Sequence, residues 1–152
     1  MTSARTAEDL IATLGMEPIP EEGAWLAQGP RVPGLSTILA LVADRPDGFS
    51  AMHRLEIDEG WQWIDGDPLT MLRLHPDGTS EETVLDAEHP QLLVPRGVWQ
   101  GARTLGAWTL FSCWCAPAFE GHHFTLGDRA TLTAAYPDRA DLIAALTRQE
   151  ER

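Results

Sequence analysis

Apolar and polar residues alternate along much of the middle of the chain, as they do in β-strands that bury one face. The alternation is clearest over residues 50–57, where one face carries Ala51, His53, Leu55 and Ile57. The opposite face carries Ser50, Arg54 and Glu56. After Asp58 the alternation restarts, and Glu59, Trp61 and Trp63 share a face. The pattern therefore predicts two strands whose inward faces carry a histidine and a glutamate.

Short apolar segments separated by glycine, proline and aspartate continue along most of the chain. Residues 76–79 read Pro-Asp-Gly-Thr, which is a strong hairpin turn signal. The further strands that we predict are Leu35–Ala43, 61–66, 69–75, 82–85, Gln91–Val94, 100–104 and 107–115. Many short strands at regular spacing predict an all-β fold, here a jelly roll.

Both ends of the chain have helical patterns instead. Thr6 can cap a short N-terminal helix that Gly15 closes. Asp138 can cap a C-terminal amphipathic helix whose apolar side is formed by Leu142, Ile143 and Leu146. Because no repeat or interdomain linker interrupts the sequence, we predict one domain spanning residues 1–152 with short helices at both ends.

Composition narrows the classes of partner and of chemistry. The 152 residues carry a net charge of -12, which argues against nucleic acid or an anionic membrane as partner. No apolar run is long enough to span a bilayer, and the start, MTSARTAEDL, lacks the apolar core of a signal peptide, so we expect a cytoplasmic protein. The absence of lysine excludes Schiff-base chemistry through a lysine. Cys113 and Cys115 are spaced poorly for a disulfide, and we expect free thiols.

His53 and Glu59 are the strongest candidates for chemistry. His53 on an inward face can be a general base or a metal ligand, or a core histidine satisfied by Asp58 or Glu59. Glu59 lies beside Trp61 and Trp63, and an apolar setting of that kind raises a carboxyl pKa and keeps a proton available near neutral pH. The alternative for Glu59 is an exposed residue at a turn. The two tryptophans are the best candidates for stacking a flat ligand.

Two stretches about forty residues apart resemble the two half-motifs of a cupin. The first contains His53, Glu59 and Gly66, and the second is VPRGVWQ at residues 94–100. Leu55 stands where the superfamily has a second histidine, and Gln100 stands where it has the last one. The superfamily's metal-ligand set is therefore incomplete in this sequence.

The resemblance is closest to the small single-domain cupins of family five, whose function is unknown. The matching pieces are IPEEG at 19–23, SAMHR at 50–54, DEGWQ at 58–62, GDPL at 66–69, VPRGVWQ at 94–100, CWCAPAF at 113–119 and YP at 136–137. Ile19, Met52 and Gln62 depart from the family pattern, which has histidine, tryptophan and histidine there. The resemblance implies a double-stranded β-helix that is usually dimeric and is related to sugar-nucleotide epimerases; it implies no known reaction.

Three functions stay open at this stage, each with a small-molecule ligand inside the barrel. The first is acid–base catalysis by an isomerase, epimerase, cyclase or dehydratase, with His53 as base, Glu59 as acid or orienting partner and Gln100 as polar anchor. The second is an oxygenase or lyase in which His53, Glu59 and Gln100 hold Fe, Mn, Ni or Zn; since Gln100 is a weak ligand, we expect no metal. The third is a binding protein without chemistry.

Two further expectations concern the pocket and the assembly. If Ile19, Met52 and Gln62 border the pocket with Trp61 and Trp63, this protein should accept a bulkier or less anionic ligand than its relatives do. We also expect a homodimer in which Leu35–Ala43 and the N-terminal segment pair with a second copy, because an unpaired apolar sheet edge is a liability for a monomer.

Overall fold

Two antiparallel β-sheets face each other and enclose the core. The computed structural model describes residues 5–148. One sheet consists, in spatial order, of β1 (Glu17–Pro18), β2 (Trp25–Val32), β3 (Leu35–Ala43), β10 (Trp108–Ala116), β5 (Asp58–Gly66) and β8 (Gln91–Val94). The other consists of β11 (Phe124–Leu126), β4 (Ser50–Leu55), β9 (Trp99–Thr104), β6 (Leu69–Leu74) and β7 (Ser80–Leu85). This arrangement is a double-stranded β-helix, and it confirms the predicted all-β jelly roll.

Three short helices lie at the two ends of the chain: α1 (Ala7–Leu14), α2 (Arg129–Ala135) and α3 (Ala140–Ala145). Thr6 caps α1 as predicted, since its hydroxyl accepts from the Asp9 N–H and the Asp9 carboxylate accepts from the Thr6 N–H. Gly15 ends the helix in the left-handed conformation at φ 62°. The sequence predicts both ends of this helix because capping chemistry is local.

The core between the sheets is built from the inward residues of the strands. Its largest cluster includes Val42, Leu69, Met71, Leu85, Val94, Ala102 and Phe111. A second cluster lies between α1 and the outer face of β3, around Leu10 and Leu41. A third is formed by Ile143, Leu146 and Leu132 of the C-terminal helices, which cover the outer face of β4 and β6 at Met52 and Leu72. The helices therefore cover sheet faces that strands alone would leave exposed.

Several sequence expectations require correction. Strand β2 was not predicted, because Gly29 and Pro30 interrupt its pattern and its register with β3 shifts between Gln28 and Arg31. Helix α2 was also missed, although Asp128 caps it by accepting from the Thr131 N–H. Asp138 does not cap the last helix; it lies in a 3₁₀ turn just before α3.

The strand proposed for dimer contacts is not an edge of either sheet. Strand β3 pairs with β2 on one side and with β10 on the other, so its backbone hydrogen bonds are already made. The expectation that Leu35–Ala43 pairs with a second copy through its edge is therefore wrong. Of the N-terminal segment, α1 packs against β3, and residues 1–4 lie outside the described part of the chain. Within residues 5–148, no helix combines the length and apolar character needed to cross a membrane.

Candidate functional site

A cavity of about 320 Å³ lies between the two sheets. Its walls are mainly apolar and aromatic, and they include Ile38, Leu55, Trp61, Phe111, Phe119 and Phe124. Polar and ionisable side chains also line it, and they include Glu22, Arg31, Ser50, His53, Glu59 and Cys115. The volume is at the lower end of the range for small-molecule pockets, which indicates a compact ligand.

His53 lies on the β4 wall and is almost completely buried. Its Nδ1 is 2.7 Å from the carbonyl oxygen of Ala51 and 3.5 Å from Oε1 of Glu22. Because both neighbours accept hydrogen bonds, Nδ1 must carry a proton and donate it to Ala51. In the neutral ring the lone pair is then on Nε2, which has no hydrogen-bond partner among residues 5–148. Nε2 is the atom that can take a proton from a ligand.

Glu59 lies on the opposite wall, at the start of β5, and its carboxyl group is held by Gln100 of the other sheet. The indole Nε1 of Trp61 donates to Gln100 Oε1 at 2.8 Å. Since an indole N–H only donates, this contact fixes the orientation of the Gln100 amide, whose Nε2 donates to Glu59 Oε1 at 2.8 Å. Gln100 is fully buried. The Trp61–Gln100–Glu59 chain is thus a polar link between the two sheets.

Burial raises the pKa of the Glu59 carboxyl. Desolvation is the largest cause, and the charge of nearby His53 opposes it while the charge of Glu22 adds to it. Because Oε1 accepts from Gln100, the proton of the neutral acid belongs on Oε2, which in the described part of the chain contacts only the Cys115 thiol, at 3.6 Å. Glu59 therefore presents Oε2, the oxygen that a proton would occupy, in the cavity whose other wall carries His53.

The raised pKa of Glu59 predicts a stability difference that depends on pH. A glutamate in an unfolded chain titrates at about pH 4.3. Above that pH the unfolded chain loses the proton first, so the stability that the neutral acid contributes is lost as pH rises through the folded pKa. The variant Glu59→Gln cannot lose a proton there. The difference in the free energy of unfolding between this variant and the wild type, measured by urea denaturation, should shift in favour of the variant as pH rises above about 4.3.

The matched control for that measurement is Glu56→Gln, at an exposed glutamate of the same part of the chain. This variant should follow the wild-type pH profile. A constant difference between Glu59→Gln and the wild type at every pH would show that Glu59 titrates normally in the folded protein.

Both cysteines are free, as predicted; both are also buried and line the cavity. Desolvation raises the pKa of each thiol, and the nearby Glu59 carboxyl adds to the effect. A thiol with a raised pKa stays protonated at neutral pH and is a weak nucleophile. Cys113 and Cys115 therefore serve as wall residues, and Cys115 in addition donates its weak hydrogen bond to Glu59.

Of the proposed ligand-contacting residues, Trp61 and Ile19 line the cavity. Trp61 stacks on Phe111 with ring centroids 4.5 Å apart. Trp63 faces the core but does not line the cavity, and its indole N–H donates to the Asp67 carbonyl at 3.1 Å.

Met52 and Gln62 do not line the cavity either, contrary to the expectation. Met52 is fully buried on the outer face of β4, where it packs against Leu132, Ile143 and Leu146. Gln62 is on the outer face of β5, and its amide is 3.4 Å from the Trp63 carbonyl. Of the three departures from the family pattern, Ile19 alone can change the shape or charge of the cavity.

Several cavity residues were missed by the sequence analysis, and among them Glu22 and Ser50 lie next to His53. Ser50 was placed on the face opposite His53, but a register shift between Ser50 and His53 in the β4–β9 pairing turns it inward. Its hydroxyl donates to Glu22 Oε1 at 2.7 Å. Glu22 thus links Ser50 to His53, and its carboxylate lies where it can offset a positive charge on the imidazole ring.

Arg148 holds the loop that carries Glu22. Arg148 Nη1 donates to the carbonyl oxygens of Glu21 and Glu22 at 2.8 and 2.7 Å. Glu21 and Ala24 have positive φ angles of 67° and 65°, which non-glycine residues seldom adopt. Such a loop has no periodic pattern of apolar residues. The match to the family motif at residues 19–23 is therefore the sequence feature from which Glu22 could have been predicted.

A protein-family model matches most of the chain. Residues 8–127 match the model of a family described as cupin superfamily (DUF985), also named Cupin_5. The chain belongs to this cupin family. The match covers the strands that carry His53, Glu59 and Gln100. No curated protein matches the chain.

Solved structures of similar proteins have the same fold. A protein from Shewanella oneidensis is 28% identical, with a TM-score of 0.87 over 97% of this chain and 100% of that one. A hypothetical protein from Leishmania major is 24% identical, with a TM-score of 0.84 over 95% of this chain and 100% of that one. An oxalate decarboxylase from B. subtilis is 15% identical, with a TM-score of 0.59 over 91% of this cupin and 39% of that chain. The similarity to the Leishmania major protein and to the oxalate decarboxylase shows the fold alone.

The metal ligands suggested by the cupin resemblance do not fit the geometry of this site. Gln100 has its carbonyl oxygen engaged by the Trp61 indole, and its NH₂ group cannot bind a metal. Leu55, at the position of the second histidine, is apolar and lines the cavity. Within residues 5–148, no three His, Cys, Asp or Glu side chains are grouped as metal ligands. His53 and Glu59 alone make a thin donor set for a transition metal.

Proposed function

We propose that this cupin is an acid–base enzyme that acts on a compact small molecule bound between its sheets. His53 takes a proton from the ligand at Nε2, and Glu59 supplies one from Oε2. The reaction class is one that needs both steps and no redox change: isomerisation, epimerisation, cyclisation or dehydration.

The observation that supports this proposal most is that one cavity holds both an imidazole nitrogen with a free lone pair and a buried carboxyl group. His53 has its Nδ1 proton committed to Ala51 and its Nε2 lone pair free. Glu59 has a raised pKa and is held by Gln100. A buried carboxyl group with a raised pKa and an imidazole nitrogen with a free lone pair on the facing wall are the two parts that an acid–base pair requires.

The placement of the two groups on opposite walls adds to this argument. His53 belongs to β4 of one sheet, and Glu59 belongs to β5 of the other. A flat ligand lying between the sheets would present one face or end to the base and the other to the acid. The mainly apolar walls offer water few hydrogen-bond partners, which favours proton transfer to the ligand rather than to solvent.

Hydrogen exchange tests this function directly, and the product of the reaction need not be identified first. Candidate carbonyl and hydroxy metabolites are incubated with the protein in D₂O, and deuterium incorporation at carbon is followed by NMR. We expect incorporation into at least one ligand with the wild type and its loss in His53→Ala. Ligand binding without incorporation, across all ligands that bind, would favour a binding protein without chemistry, for which the mainly apolar cavity is equally suited.

The purified protein should carry far less than one equivalent of transition metal. Leu55 cannot donate electrons to a metal, and the Gln100 oxygen is already bonded to Trp61. Elemental analysis after purification without chelators measures the content. A near-stoichiometric amount of Fe, Mn, Ni or Zn that disappears in His53→Ala would instead favour the metal-dependent oxygenase or lyase.

A further inference from the structure

One row of inward-facing residues crosses four neighbouring strands of the cavity wall. The strand registers pair Arg31 with Ser36, Ser36 with Cys115, and Cys115 with Glu59. All four line the cavity. Neighbouring strands are about 4.8 Å apart, so the Cα atoms of Arg31 and Glu59 are about 14 Å apart. The row therefore runs from a buried carboxylic acid at one end to an arginine at the other.

The neighbouring rows of the same wall are largely apolar. One contains Gln28, Ile38, Cys113 and Trp61, and the next contains Leu26, Ala40 and Phe111. On this wall, a ligand that fills the cavity thus meets charged groups only along the row from Arg31 to Glu59. The other ionisable groups of the cavity, which include Glu22 and His53, belong to other elements.

Arg31 is the one arginine among the cavity-lining residues that the structure describes, and no lysine exists in the chain. Its side chain is 48% exposed, Nη1 donates to the Phe119 carbonyl at 2.6 Å, and Nη2 is 3.9 Å from Glu120. The ion pair with Glu120 is long and exposed, so it is weak. A guanidinium has five N–H donors, and these contacts leave donors free for a ligand.

We propose that Arg31 is an anion subsite and that the ligand is a compact organic carboxylate with an apolar body. Its carboxylate binds the Arg31 guanidinium, and its far end reaches His53 and Glu59. This inference rests on the proposed function for the role of that far end, but the carboxylate subsite is defined by Arg31 alone. The acidic net charge of -12 makes a single cavity arginine a selective attraction for anions rather than part of a general basic surface.

Calorimetry with three probes of the same shape tests the subsite: cinnamate, cinnamamide and cinnamylamine. The wild type should bind cinnamate about 10- to 100-fold more tightly than cinnamamide, the ratio expected for hydrogen bonds to a charged group. Arg31→Gln should lose this preference while it still binds cinnamamide. Arg31→Lys should keep part of it, since the charge remains and the fork geometry is lost.

The matched control is Arg96→Gln, at an exposed arginine that pairs with Asp58 and does not line the cavity. This variant should keep the wild-type preference. A purely structural role of Arg31, through its bond to Phe119, would weaken all three probes equally and would overturn the proposal. Equal binding of cinnamate and cinnamamide by the wild type, tighter binding of the amine, or no binding of any probe would overturn it as well.

Failure of this inference can be told apart from failure of the proposed function. Deuterium incorporation that depends on His53 but shows no preference for carboxylates would leave the acid–base proposal intact and remove the Arg31 subsite. A carboxylate preference that depends on Arg31, without any incorporation, would place the subsite in a binding protein.

Discussion

Replacing His53 with alanine should reduce turnover about 10²–10⁴-fold once a substrate is known, and Glu59→Gln should have an effect of similar size. His53 loses the Nε2 lone pair that takes the proton, and Glu59 loses the acidic proton on Oε2. Both variants should remain folded, because His53 lines a cavity and glutamine has the shape of glutamate. Steady-state kinetics gives the rates, and thermal unfolding confirms the fold.

The matched controls are His89→Ala and Glu56→Gln. The His89 imidazole is 74% exposed and pairs with Asp86, and Glu56 is exposed on the protein surface. Both variants should keep wild-type rates. Near-normal turnover in His53→Ala or Glu59→Gln would show that the proton transfer is carried out by other groups.

The pH profile distinguishes a general acid from a residue that only shapes the cavity. A general acid works while it holds its proton, so activity should fall as pH rises through the raised pKa of Glu59. In Glu59→Gln the remaining activity should lose that limb of the profile. A profile with the same limb in the variant would assign the titration to another group.

The central part of the site could be predicted from the sequence because its signals are local. Alternation over residues 50–57 placed His53 on an inward face, and the restart after Asp58 did the same for Glu59 and Trp61. The structure has all three on the cavity wall. A period of two residues is a physical property of strands, so it survives wherever the strand is regular.

The same alternation also shows why two of the ligand-contacting residues were placed wrongly. Met52 lies one position from His53, and Gln62 lies one position from Trp61, so each faces the opposite side of its strand. They were assigned to the pocket because they depart from the family pattern. A departure from a pattern identifies a changed residue but carries no information on the face that the residue occupies.

The partners of the inward residues could not be predicted, because they come from distant parts of the chain. Gln100 contacts Trp61 and Glu59, which are 39 and 41 residues away in sequence. Glu22 lies in an irregular loop that Arg148 holds from the other end of the chain. The sequence therefore indicated that Gln100 faces inward, but not that its amide links two sheets instead of anchoring a ligand.

The fixed amide of Gln100 also bears on how the acid is kept in place. Because its oxygen is engaged by Trp61, its Nε2 can only donate toward Glu59. A donor on Oε1 limits the rise of the Glu59 pKa that burial causes, and it leaves Oε2 as the atom that exchanges a proton. The link thus has two consequences, one for the stability of the barrel and one for the orientation of the acid.

Replacing Gln100 with leucine should lower the free energy of unfolding by about 2–6 kcal/mol, because each of two buried groups left without a hydrogen bond costs about 1–3 kcal/mol. Leucine is close in size to glutamine, so the loss comes from two groups that are left without partners, the Trp61 indole N–H and the Glu59 Oε1. Urea denaturation monitored by tryptophan fluorescence measures the change.

A double-mutant cycle shows whether that loss arises from the link itself. Trp61→Phe removes the indole N–H, so Gln100→Leu in the Trp61→Phe background strands one polar group fewer than in the wild type. The double variant should therefore be more stable than the sum of the two single changes predicts, by about 0.5–3 kcal/mol. Strict additivity would mean that the contact between Trp61 and Gln100 contributes nothing, and that the loss in Gln100→Leu comes from the bond to Glu59 or from packing. The orientation of the Glu59 carboxyl group depends on the same Gln100 amide. Gln100→Leu should therefore lower both the stability of the barrel and the proton transfer by Glu59. Trp61→Phe leaves the bond between Gln100 and Glu59 intact and should affect proton transfer by Glu59 less.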